Sequence, residues 1–454
     1  MRLVRALLLS FFALLLISSY AGAQDNAPPA NAATSLNRDL PPGLQLPDAA
    51  KPGPNFDVDA ATEAYLNLLS PTQRAKSDAY FEGGYWVAFF GGLYGLAVAA
   101  ILLLSGLSRR MRDVGRKFFT KPFLVTMVYV ALWLIVGFLL NLPWSSYSEF
   151  SREHSYGLAT QSYSDWFGDQ LKGLVIGLII LPLVISLIYK LVRSYGDSWW
   201  VRATGLTFVL TLFFGMLAPV YITPRFNTYM PLPPGEIKEA IFSLARANQI
   251  PTTKVVYFDA SKQTTRISAN VSGFLNTTQV SLNDNLMNKT SLPEIKAVMG
   301  HEMGHYVLNH SLRLTIYFSL VFGLGFYVVH RSSSVLLRRF GMRLNIEDRS
   351  DPAGLPLAVA IFSVFAALAT PVLNSITRQA EAEADAYGLN AAREPHGFAM
   401  AAMRLSTYRK IKPGYWEEVF FYDHPSGYTR VHNSMLWLQE NQDNATANKA
   451  LESK

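Results

Sequence analysis

The chain has 454 residues, half of them hydrophobic and only 16% charged, and it contains no cysteine. The missing thiols exclude thiolate zinc sites, cysteine nucleophiles and structural disulfides together. The formal net charge of +7 is no nucleic-acid signature, because the Lys and Arg residues cluster beside apolar runs, where they set membrane orientation.

In chain order, residues 1–23 have a basic start, an apolar core and a small-residue site at Ala21-Gly22-Ala23. They read as a secretory signal peptide or as an uncleaved first span. An exposed N-terminal segment is expected over 24–83, its first part to about 56 being rich in Pro, Ala, Asn and Asp. Five stretches long enough to cross a bilayer follow near 84–106, 122–142, 172–191, 203–222 and 312–330, and a sixth near 354–373 carries Pro356 and Pro371 at its ends.

The loops between these runs alternate in charge. Residues 107–121 hold Arg109, Arg110, Arg112, Arg116, Lys117 and Lys121 against Asp113, whereas 143–169 hold Glu149, Glu153, Asp165 and Asp169 against Arg152. The loops at 190–202 and 331–349 are basic again. The positive-inside rule places the basic loops in the cytoplasm. The acidic loop, the segment 223–311 and the tail from about 374 then lie outside. The signal-like N-terminus agrees, since it delivers Gln24 to the outside. In a bacterial inner membrane these segments would therefore face the periplasm.

Within 223–311, an amphipathic run after Pro233-Pro234 predicts a helix from about Gly235. VVYFDAS and RISANVSGFLNTTQVSL alternate and predict two or three short strands. Ser291-Leu-Pro293-Glu294 then opens a helix, with Ser as cap and Pro and Glu in the first turn. That helix carries His301-Glu302-Met303-Gly304-His305. Two His four apart share a helical face and can reach one metal ion, and Glu302 is placed to work on a water activated by it. The helix can continue into the span at 312–330.

A catalytic zinc needs a third protein ligand. In TRQAEAEADAYG, Glu381 and Asp385 stand four apart on one helical face, while Glu383 points away at about 200° from Glu381. An ordinary solvated acidic face is the bland reading of these residues; the motif on the same side of the membrane favours the metal.

HEMGHYVLNH, TRQAEAEADAYG and HPSGYTR occur in the same order as in the type I CAAX prenyl proteases, and the chain resembles a bacterial member of that membrane zinc metallopeptidase family over most of its length. The resemblance implies one Zn²⁺ per chain, with Glu381 as third ligand and Asp385 supporting the site. It matches Arg378, His424-Pro425 and Arg430 to family positions, with His424 stabilising the oxyanion and Arg430 orienting Asp385 or the tail. It also implies a hollow bundle of seven spans, the seventh being the N-terminal run. The fold expected is mainly α: a polytopic membrane bundle of six or seven spans, with four spans over 84–222. The metallopeptidase domain over 223–454 would carry a small β-sheet and the last two spans. Two features depart from the family. The loop charges put the catalytic side away from the cytosol, so a CAAX substrate is not carried over, and His424-Pro425 is followed by Ser426 rather than a second Pro.

These readings lead to an integral-membrane zinc endopeptidase with Glu302 as general base. Its partners would be the bilayer and peptide or protein substrates in or near the membrane. An edge strand at Ser268 to Phe274, with Asn270, Val271 and Phe274, is the expected substrate strand, plain sheet being the alternative. Two rivals are a cytoplasm-facing CAAX processor and an inactive scaffold or chaperone. His310, nine residues from His301, would lie on the opposite helical face and serve at the helix surface or membrane interface. His154, His330, His396 and His432 receive no role.

Overall fold

The apolar runs form long helices that leave many of their apolar side chains on the outside. The computed structural model describes residues 40–41, 43–252, 254–272 and 278–452. Among them, five helical segments are long and apolar enough to cross a membrane: Pro71–Leu104, Pro122–Ser155, Tyr163–Gly215, His310–Leu344 and Pro352–Ala392. The third is two helices, Tyr163–Tyr195 and Trp199–Leu217, joined at Gly196, whose φ of +52° suits glycine. Trp199 and Ala203 pack with Ile188, Leu191 and Val192 across that joint. Ile179 and Leu368 stand more than two-thirds exposed, which a bilayer accommodates and water does not. The N-terminal run 1–23 lies outside the described residues.

The described part of 24–83, from residue 40 on, is not the exposed stretch expected. Asp57 caps a helix, Val58–Leu66, through the Ala60 amide. Ala61, Tyr65, Leu66 and Leu69 are buried against Met400, Met403, Val431 and Met435. The apolar residues here are few, but their helical spacing suits a partner more than 300 residues away that local composition cannot reveal. The first membrane helix also begins early, at Pro71, with Ser70 and Gln73 closing a capping box.

The soluble part is built on a four-stranded sheet of order β1-β2-β4-β3, formed by β1 (Tyr229–Pro231), β2 (Lys254–Phe258), β3 (Ala269–Ser272) and β4 (Gln279–Asn283). β2 and β4 are parallel and the other two pairings antiparallel, so β3 is an edge strand.

Against this sheet lies the motif helix, Leu292–Val307, begun by the Ser291–Glu294 capping box with Pro293 in its first turn. At about 100° per residue its sequence has three faces. Ile295, Met299 and Met303 are buried in the sheet core with Val280, Leu282 and Leu286. Gly300 and Gly304 meet the helix Leu355–Ala392, and His301, Glu302 and His305 turn to the site. Two buried charges tie the helix start to the tail. Arg404 donates to Glu294 and to the carbonyls of Pro41 and Gly43, while Glu294 also accepts from the Ser291 amide and hydroxyl.

The motif helix does not run on into the membrane as the sequence suggested. Asn309 takes a left-handed conformation (φ +54°) that its short polar side chain tolerates, and a new helix begins at His310. The helix Leu355–Ala392 is continuous from its apolar part to its acidic end. At about 1.5 Å per residue it is about 57 Å long, so its last third stands clear of a hydrocarbon core of about 30 Å.

A Cβ on Gly388 would lie 2.7 Å from the His301 amide nitrogen, and one on Gly300 2.9 Å from the Gly388 carbonyl. Both obstacles are backbone. Gly388→Ala should therefore lower stability by about 1–3 kcal/mol and reduce bound metal, read by thermal unfolding and metal content of the purified protein. An unchanged melting temperature with full metal content would contradict this close crossing.

Candidate metal centre

The crossing of the two helices brings His301, His305 and Glu381 together, each offering one donor atom within 4.8 Å of the others. His301 Nε2 and His305 Nε2 are 3.1 Å apart, and each lies 3.3 Å from a Glu381 carboxylate oxygen. Lone pairs from two imidazoles and one carboxylate thus converge on one point, the donor set of a His₂Glu metal site.

Every donor is backed by a second group. Asp385, one turn beyond Glu381, approaches His301 Nδ1 to 2.8 Å, off the direction of a straight hydrogen bond. Arg430 spans both acids, with Nε 2.9 Å from Asp385 Oδ2 and a terminal nitrogen donating to Glu381 Oε2 at 3.1 Å. His424 Nε2 is 3.3 Å from Glu381 Oε2, and its Nδ1 faces Asp423 at 2.7 Å. Arg378 does not touch the donors; it donates to the carbonyls of Glu418 and Tyr422 and so fixes the turn that delivers His424.

Sequence reasoning missed the groups behind His305. Because the helix restarts at Asn309, His310 is buried and turned back, its Nδ1 2.8 Å from His305 Nδ1. Its Nε2 lies 3.2 Å from Glu383, which also accepts from Arg313 at 2.6 Å. Neither His310 nor Glu383 is therefore the outlying residue expected of an unbroken helix and a solvated acidic face. The arrangement fixes the protons. If His305 presents a free Nε2, its Nδ1–H donates to His310 Nδ1. His310 then carries its proton on Nε2 and donates to Glu383, which Arg313 anchors. The signal in the sequence was Asn309, a residue that admits left-handed backbone in the middle of an apparent helix.

The site is built to hold positive charge. Glu302, Glu381 and Asp385 converge with Arg430 as the cation contacting the last two. Burial pulls the His301 imidazole down, but Asp385 and Glu381 outweigh it and push it up to about 10. Burial also holds the Glu302 carboxyl above its ordinary value, against the lowering influence of His301 and His305.

His301, Glu302, Glu381, Asp385, His424 and Arg430 line a cavity of about 240 Å³, together with Ser268 and Ala269 at the start of the edge strand. Of the expected substrate strand, Asn270 and Val271 lie on β3, while Phe274 lies outside the described residues. A second cavity of about 260 Å³ sits among the membrane helices near Trp199 and Leu355, is mostly apolar and contains none of these groups. The remaining histidines are engaged elsewhere: His154 with the Phe150 and Gln161 carbonyls, His330 with Arg349, His396 with Tyr65, and His432 near Asp59.

Comparison with known proteins gives a consistent picture. Residues 231–435 match the model of peptidase family M48, and residues 59–228 match the CAAX prenyl protease N-terminal model, described as five membrane helices. The chain is 28% identical over 383 residues to the uncharacterized metalloprotease YhfN of Bacillus subtilis, across 84% of this chain and 88% of that one. It is 28% identical over 339 residues to CAAX prenyl protease 1 of Saccharomyces cerevisiae, across 69% and 74% of the two chains. The human CAAX prenyl protease 1 homolog is 26% identical over 361 residues, across 69% and 75%. The crystal structure of S. mikatae Ste24p has the same fold, with a TM-score of 0.69 at 22% identity over 86% of this chain and 92% of that one.

If Glu383 holds the proton pattern behind His305, Glu383→Ala should weaken metal binding about 10–100-fold, measured by competition with a chelator. Equal chelator resistance in the two proteins would sink the chain of contacts as a support for the site.

Proposed function

The chain belongs to peptidase family M48, a membrane metallopeptidase, and on that premise we propose that it is a zinc-dependent endopeptidase of membrane-associated or exported proteins. The observation that carries this reading is the convergence of His301, His305 and Glu381 beside the Glu302 carboxylate.

The donors suit zinc, whose protein ligands are of these types and number in hydrolytic sites. When bound by His301, His305 and Glu381, zinc supplies Lewis acidity that lowers the pKa of water and polarises a carbonyl. Glu302, adjacent in sequence to a ligand and lining the cavity, takes the proton of the attacking water and delivers it to the leaving amine. Proton transfer of this kind is worth about 10²–10⁴ in rate. Its partly desolvated carboxyl makes it a stronger base than an exposed Glu. His424, its ring oriented by Asp423, donates to the oxyanion that develops on the scissile carbonyl. Asp385 and Arg430 orient His301 and Glu381, and Arg378 holds the turn behind His424.

Among the described residues β3 has one unpaired edge, so an extended peptide can add beside Asn270 and Val271, held by main-chain hydrogen bonds. The cavity stands just beyond the apolar part of the bundle and favours peptides that are unfolded or tethered near the bilayer. Quality control of membrane or exported proteins is the role this suits.

The loop charges support a catalytic side facing out of the cytoplasm, which is the periplasm in a bacterial inner membrane. The relatives named CAAX prenyl proteases favour a second reading, a processing enzyme facing the cytoplasm. Glu236→Cys, at an exposed position in a chain without native cysteine, separates the two. Labelling by a membrane-impermeant maleimide in intact cells is expected; labelling only after the cytoplasm is opened would favour the processing enzyme. An inactive scaffold has no use for Glu302. Glu302→Gln is expected to keep its zinc and to cleave a model peptide about 10²–10⁴ times more slowly than wild type. Equal cleavage by both proteins would end the enzymatic reading.

A further inference from the structure

The seven-residue helix Tyr415–Phe421, YWEEVFF, is inside out for a surface helix in water. Tyr415 and Trp416 are 74% and 68% exposed, and Phe420 and Phe421 are each 47% exposed. Its two acids point inward instead. Glu417 accepts from the Tyr85 hydroxyl at 2.7 Å and pairs with Lys410 at 3.0 Å, while Glu418 accepts from the Ser426 amide at 3.2 Å. A surface helix in water puts its charges out and its aromatic rings in; this one does the reverse, with its charges satisfied inside.

The height of the helix is fixed by the neighbouring membrane helix. Asn374 donates to the Phe420 carbonyl at 2.8 Å, and Val372, two residues earlier, is still an exposed apolar side chain at the end of the expected span. Two residues are about 3 Å of helix. The aromatic face is also continuous with the apolar belt of the first membrane helix. Phe421 stacks on Tyr85 with centroids 3.9 Å apart, and the next residues, Trp86, Phe89 and Phe90, are exposed and in mutual ring contact. Aromatic rings at the level where an apolar belt meets polar surface match the interfacial zone of a bilayer.

We propose that the outer face of Tyr415–Phe421 is inserted in the headgroup region of the bilayer, as an interfacial anchor that sets the depth of the catalytic rim. The consequence for the site is direct. Arg378 holds both Glu418 and Tyr422 by their carbonyls, and His424 follows three residues after Phe421. A helix fixed in the interface therefore fixes the segment that carries His424, and places the cavity mouth where a membrane-tethered peptide leaves the lipid.

The chain has no native cysteine, so single labels can be placed in the full protein. Trp416→Cys and Phe420→Cys would each carry an environment-sensitive fluorophore in vesicles of phosphatidylcholine and phosphatidylglycerol. The vesicles would contain lipids spin-labelled at the headgroup or in mid-chain. Glu236→Cys is the aqueous reference, since Glu236 lies in a recess with Ala391 and Ala392, about 30 Å of helix beyond Val372. Leu368→Cys, on the exposed apolar face, is the deep reference. Labels at 416 and 420 should be quenched several-fold more strongly by headgroup spin label than the label at 236, and should resist aqueous iodide. Labels at both positions that respond like the one at 236 would place the helix in water and overturn the proposal. Protection from both lipid and aqueous quenchers would also overturn it, in favour of a second copy of the chain covering the face. None of these readings depends on catalysis.

Discussion

Two helices must come close enough for a carboxylate on one to reach between two imidazoles on the other, and the glycines at their crossing permit it. Gly300 and Gly304 on the motif helix face Gly388 and Ala384, with room for almost nothing between the backbones. Everything chemical in the structure follows from that approach. The same stretch of the motif helix that gives up its side chains to the crossing presents His301 and Glu302 to the cavity and His305 to the donor cluster. The residues one and two turns before Gly388 are Asp385 and Glu381. Larger side chains at the crossing would separate the donors without altering any of them.

The second constraint is electrostatic. A site with three converging carboxylates is unfavourable unless positive charge enters it, and Arg430 supplies only part of that charge. A cation held by His301, His305 and Glu381 would supply the rest, which would link metal binding to local stability. The groups outside the donors keep this arrangement in register. Asp385 stands behind one imidazole, and His310, Glu383 and Arg313 stand behind the other. Deeper in the fold, the buried pair of Glu294 and Arg404 ties the start of the motif helix to the tail, so that the helix is anchored at one end and clasped in its middle.

Much of this was legible in the sequence, for identifiable reasons. The membrane helices were readable because hydropathy is a local property. His301, Glu302 and His305 were readable because the i,i+4 spacing of a helix puts two ligands on one face. Glu381 and Asp385 followed by the same spacing, together with a family resemblance. Three things were not legible. The burial of Tyr65 and Leu66 depends on a partner in the tail. The position of His310 depends on one backbone dihedral at Asn309; an ideal helix continued through that residue points His310 the wrong way. The inward turn of Glu417 and Glu418 depends on Tyr85 and Lys410, and the sequence YWEEVFF alone gives no sign of which face is outside.

The chemistry depends on which three side chains would hold the metal, and His424 is the natural competitor, its Nε2 being as close to Glu381 as are those of His301 and His305. Zinc-edge X-ray absorption on the purified full-length protein counts imidazoles directly, through scattering from the outer ring atoms. Two imidazoles and a carboxylate at about 2.0–2.2 Å are the predicted shell. Three imidazoles, or a protein that holds no stoichiometric metal, would contradict the assignment of His301, His305 and Glu381.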